Sequence, residues 1–87
     1  MKRIRFSNKF KKQYQKLSPK LKQQTKSQIS LWQDSPHDKS LRAHRLSGKM
    51  SRFYSINITG DVRALYEVID GEIYLYQMIG THSQLYG

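Results

Sequence analysis

Four residues in the second half of the sequence carry side chains suited to moving protons and holding a phosphate: His44, Asp61, Arg63 and His82. Cleaving RNA at a phosphodiester requires one group to take the 2′-hydroxyl proton and another to protonate the leaving 5′-oxygen. It also requires fixed positive charge beside the phosphorane oxygens. Imidazole suits the proton transfers, because its ordinary pKa lies near neutrality. Guanidinium suits the charge, because its planar fork meets phosphate oxygens in pairs. Three histidines in a small basic chain are also ordinary surface residues, so catalysis and surface decoration both stay open from the residues alone. His37, His44 and His82 with Asp61 are ligand types for a metal. No two histidines have the i, i+4 spacing of a helical zinc motif, however, and neither a metal nor another cofactor is expected.

The elements that must position these residues are short. Phe53–Ile58 and Val62–Ile69 flank Thr59-Gly60-Asp61, and Ile73–Ile79 follows Asp70-Gly71. Runs rich in Tyr, Ile and Val, separated by Gly-containing turns, read as an antiparallel meander. Alternation sorts Tyr54, Ile56 and Ile58 from Phe53, Ser55 and Asn57, and Val62, Ala64 and Tyr66 from Arg63, Leu65 and Glu67. One face is therefore apolar and the other mixed. Leu65 is assigned to the core, although its alternation with Ala64 and Tyr66 points to the mixed face.

Ahead of the meander, residues 2–6 alternate as an opening strand, and Ser7 is placed to cap a helix carrying Phe10, Tyr14 and Leu17 on one stripe. Ser18-Pro19 breaks the chain and restarts it as a second helix with Leu21, Thr25, Ile29 and Trp32 inward. A junction this short folds the two helices into an antiparallel hairpin. A polar loop then runs from residue 34 to about residue 50. The expected architecture is one α+β domain over residues 1–87, in the order β-α-α-β-β-β, with the hairpin on one face of an antiparallel sheet. The expected core comprises Phe10, Leu17, Leu21, Ile29, Trp32, Ile56, Ile58 and Leu65.

Charge speaks to partners. Sixteen Lys and Arg against six Asp and Glu give a formal charge of +10, which points first to nucleic acid, then to an acidic protein. Few acidic residues interleave with the helix lysines, so Lys9, Lys12 and Lys16, with Arg52 and Asn57, are candidates for nucleic-acid contact. Tyr86 is the tyrosine offered to stack on a base. No cysteine is present, which fits a reducing compartment, and no apolar run suggests export or a membrane span.

Three stretches resemble toxins of the RelE/ParE superfamily from bacterial type II toxin–antitoxin systems, and most of all its YafQ-like branch. They are H-R-L-S-G at 44–48, G-D-V-R-A-L-Y at 60–66 and G-T-H-S-Q-L-Y at 80–86. The resemblance implies a cytoplasmic, ribosome-dependent endoribonuclease that cuts mRNA without a metal and arrests translation. It implies an antitoxin that neutralises the basic toxin, with operator DNA reached only through that antitoxin. Carried over by position, His44, Asp61, His82 and Tyr86 match catalytic or substrate-positioning residues of the branch, and Arg63 matches a phosphate-binding arginine of RelE-like members. Asn57 departs from the pattern, since the branch carries a further histidine there and an amide cannot exchange protons near neutral pH. Two other readings stay open: a ParE-like poison of DNA gyrase, and an inactive relative that only binds its antitoxin.

Overall fold

The structure, a computed structural model, describes residues 3–86. Strand β1 (Arg3–Phe6) leads into helices α1 (Asn8–Gln15) and α2 (Pro19–Asp34). Strands β2 (His44–Arg45), β3 (Tyr54–Asn57), β4 (Val62–Ile69) and β5 (Ile73–Thr81) follow, and a short helix α3 (His82–Tyr86) comes last. This is the expected α+β order with additions, among them two 3-10 turns in the polar loop, Lys39–Leu41 and Gly48–Met50. The polar loop contains the two-residue strand β2, and the chain after β5 turns into α3. Lys2, expected in the first strand, lies outside the described residues, as do Met1 and Gly87.

Both helix starts are set by serine. Ser7 Oγ accepts from Phe10 N at 3.0 Å, and Ser18 Oγ accepts from Leu21 N at 3.2 Å, with Pro19 in the first turn of α2. The sheet order is β1-β5-β4-β3-β2. From β2 to β5 the pairing is antiparallel, while β1 joins β5 in parallel, because the helical hairpin carries the chain across the sheet before the meander begins. The β4–β5 turn places Asp70 and Gly71 at φ 54° and 69°, the left-handed conformation that an Asp-Gly pair adopts readily.

The helices cover the apolar face. Ile56, Ile58, Val62, Ala64, Tyr66, Tyr76 and Ile79 pack there with Phe10, Ile29 and Trp32. Trp32 is 1% exposed, with its ring 4.9 Å from Tyr66, 5.2 Å from Tyr74 and 5.5 Å from Tyr76. Leu17 and Leu21 reach only half burial, against expectation: α1 ends at Gln15, so Leu17 lies in the turn rather than on the helix, and Leu21 sits in the first turn of α2 beside it. Leu65 pairs with Ser55 and Met78 on the face away from the helices, yet it is fully buried, as are Ser55 and nearly all of Phe53. The mixed face therefore has a packed floor of its own.

One irregularity shapes β5. Tyr76 and Ile79 both turn to the core, a spacing of three that strict alternation forbids. The ladder accommodates it with a register shift between Leu65↔Met78 and Tyr66↔Tyr76, leaving Gln77 as the extra residue. Past Tyr76 the outer edge of β5 has outrun β1. There Ser7 Oγ donates to Gln77 O at 3.0 Å and Ile79 N donates to Gln13 Oε1 at 2.9 Å, so side chains of the α1 region replace the missing strand.

Candidate functional site

Cross-strand register assembles the site on the face away from the helices. His44 pairs with Ser55, Ser55 with Leu65, and Leu65 with Met78, forming one row across four strands. Two residues further along, Asn57 pairs with Arg63 and Arg63 with Gly80. Residues two apart on a strand share a face, so both rows open to the same side. Val62 pairs with Thr81 at the end of the β4–β5 ladder, and Asp61 and His82 are the next residue on each strand. Asn57, Asp61, Arg63 and His82 therefore gather at one end of the sheet, with His44 across it on the edge strand. With strands about 4.8 Å apart and rows about 6.8 Å apart, His44 stands roughly 12 Å from Arg63 between Cα atoms.

The side chains are held in different ways. A carbonyl can only accept, so in the 2.8 Å contact between His44 Nδ1 and Arg42 O the ring donates from Nδ1, and in the neutral imidazole Nε2 is then the acceptor. Arg42 turns its carbonyl there from a left-handed conformation, φ 45°. Arg63 donates through Nη1 to Gly60 O at 3.1 Å, which leaves most of its five N–H groups for another partner. The Asn57 carbonyl accepts from Gln28 Nε2 of α2 at 2.9 Å, tying this end of β3 to the helical layer. His82 opens α3, and its ring lies 4.6 Å from that of Tyr86 one turn later. His44, Asp61 and His82 are exposed, and Asn57 and Arg63 are half-buried.

The other candidates sit elsewhere. Lys9, Lys12 and Lys16 belong to the α1 layer and do not join His44 and Arg63 on the open face. Arg52 stacks 4.7 Å from the Phe53 ring, with its Nε 4.0 Å from Glu67 Oε2, two rows away from Asn57 and Arg63. Among the described residues, no group of three or more His, Cys, Asp or Glu is placed to hold a metal ion, and no helix is long and apolar enough to cross a membrane.

Sequence reading singles out His82 and Tyr86 but passes over their supports. Thr81 Oγ1 accepts from Gln84 N at 3.2 Å, and Gln84 Oε1 accepts from Thr81 N at 2.8 Å. The signal is the T-x-x-Q spacing at 81–84, a capping box at the mouth of a helix.

Several toxin structures share this architecture. Over 100% of both chains, at 18% identity, the protein superposes on YafQ from E. coli with a TM-score of 0.83. A chain of the E. coli DinJ-YafQ toxin–antitoxin complex matches with a TM-score of 0.81 at 19% identity, over 99% of this chain and 98% of that one. A chain of the RelB-RelE antitoxin–toxin complex from Methanococcus jannaschii matches with a TM-score of 0.72 at 18% identity, over 94% of each. No curated protein matches by sequence. The fold is thus that of the small RelE-type toxins, a helical hairpin on a curled meander with the opposite sheet face open. The sequence profile described as bacterial toxin of type II toxin-antitoxin system, YafQ, matches residues 2–87. The chain belongs to the YafQ family of type II toxin–antitoxin toxins.

Proposed function

We propose that this toxin is a ribosome-dependent endoribonuclease that cuts mRNA in the cytoplasm and arrests translation. The observation that carries the reading is the gathering of Asn57, Asp61, Arg63 and His82 at one end of the open sheet face, with His44 across from them. His44, whose Nε2 is free to accept, takes the 2′-hydroxyl proton as the 2′-oxygen attacks phosphorus. Arg63 holds the phosphorane oxygens through the N–H groups that Gly60 does not use. As the bond from phosphorus to the 5′-oxygen breaks, His82 gives that oxygen a proton. Asp61 orients an imidazole, the Asn57 amide positions substrate without exchanging protons, and Tyr86 offers its ring to a base. The products are a 5′-hydroxyl and a 2′,3′-cyclic phosphate, which opens to a 3′-phosphate. Every step uses a protein group, so toxin treated with EDTA before it meets the ribosome should cut as well as untreated toxin. A domain this small grips little RNA alone, and the ribosome supplies the positioning.

The partner that restrains it is an acidic antitoxin, through which alone the complex reaches operator DNA. A groove of about 520 Å³ between α1 and α2 offers a seat, with Phe6, Phe10, Tyr14 and Ile29 as an apolar floor and Lys11 and Lys26 on its rim. Those lysines, on a chain of charge +10, suit an amphipathic segment bearing carboxylates that orders as it binds.

The test is inducible expression with and without the antitoxin, with mRNA ends mapped. Growth arrest with cuts at defined codon positions, relieved by the antitoxin, is the expected result. Arrest accompanied by gyrase-linked DNA breaks and intact mRNA moves the protein to a ParE-like action, and absence of arrest makes it an inactive relative.

A further inference from the structure

We infer that Gly80, Thr81 and Gln84 form a positioning device for His82, an inference that rests on the nuclease reading of the open face. His82 is the first residue of a five-residue helix near the end of the chain, which is too short to be stable by itself. Something else must fix its backbone. The reciprocal bonds between Thr81 and Gln84, 3.2 Å and 2.8 Å, pair two amides that the first turn would leave without partners.

Gly80 makes the box possible. A Cβ built there would lie 2.7 Å from Gln84 Oε1 and 3.3 Å from Gln84 Cβ, so the glutamine occupies the space of the absent side chain. Gly80 is also the residue opposite Arg63. The box therefore seats α3 directly against the strand pair that carries the arginine. His82 leaves the sheet at a fixed angle, and the Tyr86 ring, 4.6 Å away, backs the imidazole one turn later. Within G-T-H-S-Q-L-Y, Gly80 makes room, Thr81 and Gln84 cap, Tyr86 braces, and His82 is the group being held.

The experiment compares wild type with Gln84→Ala, Gln84→Glu and Gly80→Ala by two readouts. One is mRNA cleavage on programmed ribosomes. The other is the ring-current shift of the His82 protons beside Tyr86, read by NMR without substrate. Gln84→Ala and Gly80→Ala are expected to lower kcat on the order of tenfold or more, with KM little changed, as misplacement of a reacting group does. The same variants move the His82 proton shifts towards those of a free imidazole. Gln84→Glu, whose carboxylate still accepts from Thr81 N, restores most of both signals. Gln84→Ala with wild-type cleavage and unchanged His82 shifts overturns the inference, as does a Gln84→Glu variant no better than Gln84→Ala. If wild type itself does not cut, the nuclease reading fails, and the NMR comparison alone still decides whether the box holds the ring. Thermal melts and antitoxin binding confirm that each variant is folded.

Discussion

Arg63 stands opposite Gly80 on the β4–β5 ladder, two residues short of His82, and donates to the carbonyl of Gly60 in the turn that carries Asp61. The guanidinium is thereby anchored at one nitrogen, with its remaining donors free. We predict that Arg63→Ala slows mRNA cleavage on programmed ribosomes by on the order of a hundredfold, the scale of losing one donor to a developing oxyanion. Arg63→Lys is expected to recover only part of this, since a point charge lacks the paired geometry. The bond to Gly60 is at an exposed position, so stability should change by about 0.5 kcal/mol or less. Equal rates for wild type and both variants would remove Arg63 from the site.

The two histidines give a separate prediction. His82→Ala and His44→Ala should each cost on the order of a hundredfold or more in cleavage, the usual scale for an acid or base. Both variants should stay folded and bind the antitoxin, because both side chains are exposed and outside the core. If His44→Ala, Arg63→Ala and His82→Ala all cut like wild type, the assigned site is wrong.

Much of this was readable from the residues, and the rest failed for physical reasons. Alternation placed Asn57, Arg63 and Glu67 on one face and Ile56, Ala64 and Tyr66 on the other, because a strand has only two faces. Serine and proline marked both helix starts, since capping is local chemistry. Of the features that escaped, two show why. Strand β2 has two residues, Leu46 N adds one further bond to Phe53 O, and no periodicity can show in so short a piece. The spacing of Tyr76 and Ile79 needed the Gln77 bulge, which depends on the register of β4 and so on tertiary pairing. For the site, residue types were legible but convergence was not. His44 joins them only through the pairing of β2 with β3 and of β3 with β4, and the α1 region carries Lys9, Lys12 and Lys16 into the opposite layer.

Electrostatics should govern encounter with the antitoxin. The chain carries +10, and Lys11 and Lys26 edge the groove between the helices. The association rate should fall steeply between about 0.05 and 0.5 M salt, because long-range attraction is screened over a shortening Debye length. Lys11→Glu with Lys26→Glu should slow association on the order of tenfold at low salt and leave mRNA cleavage nearly intact, since neither lysine is on the open face. Stopped-flow or surface-plasmon measurements decide this. An on-rate indifferent to salt, or to the double charge reversal, would leave the groove without its partner.

The last prediction concerns the core beneath the site. Tyr76 is fully buried among Trp32, Tyr66 and Phe10, and its hydroxyl has no hydrogen-bond partner among the described residues. A buried polar group left unpaired lowers stability, so Tyr76→Phe should stabilise the protein by about 1 kcal/mol, raising Tm by roughly 4–8 °C in a domain of this size. The same burial raises the Tyr76 phenol far above its ordinary pKa of 10.0, with the neighbouring Tyr66 hydroxyl adding to the shift. Tyr66 is itself raised, chiefly by burial and against a hydrogen bond with Trp32. Raised folded values mean that both phenols stay protonated in the folded protein after the unfolded chain has begun to lose its protons. Their contribution to stability is therefore complete below pH 10 and lost as pH climbs above it. Absorbance at 295 nm should show the ionisation of these two tyrosines displaced to higher pH in the folded protein than in the unfolded chain. Tyr76→Phe should remove one of the two delayed groups and hold its melting temperature further into the alkaline range. A Tyr76→Phe variant that melts below wild type at pH 7 would mean that the hydroxyl finds a partner in solution.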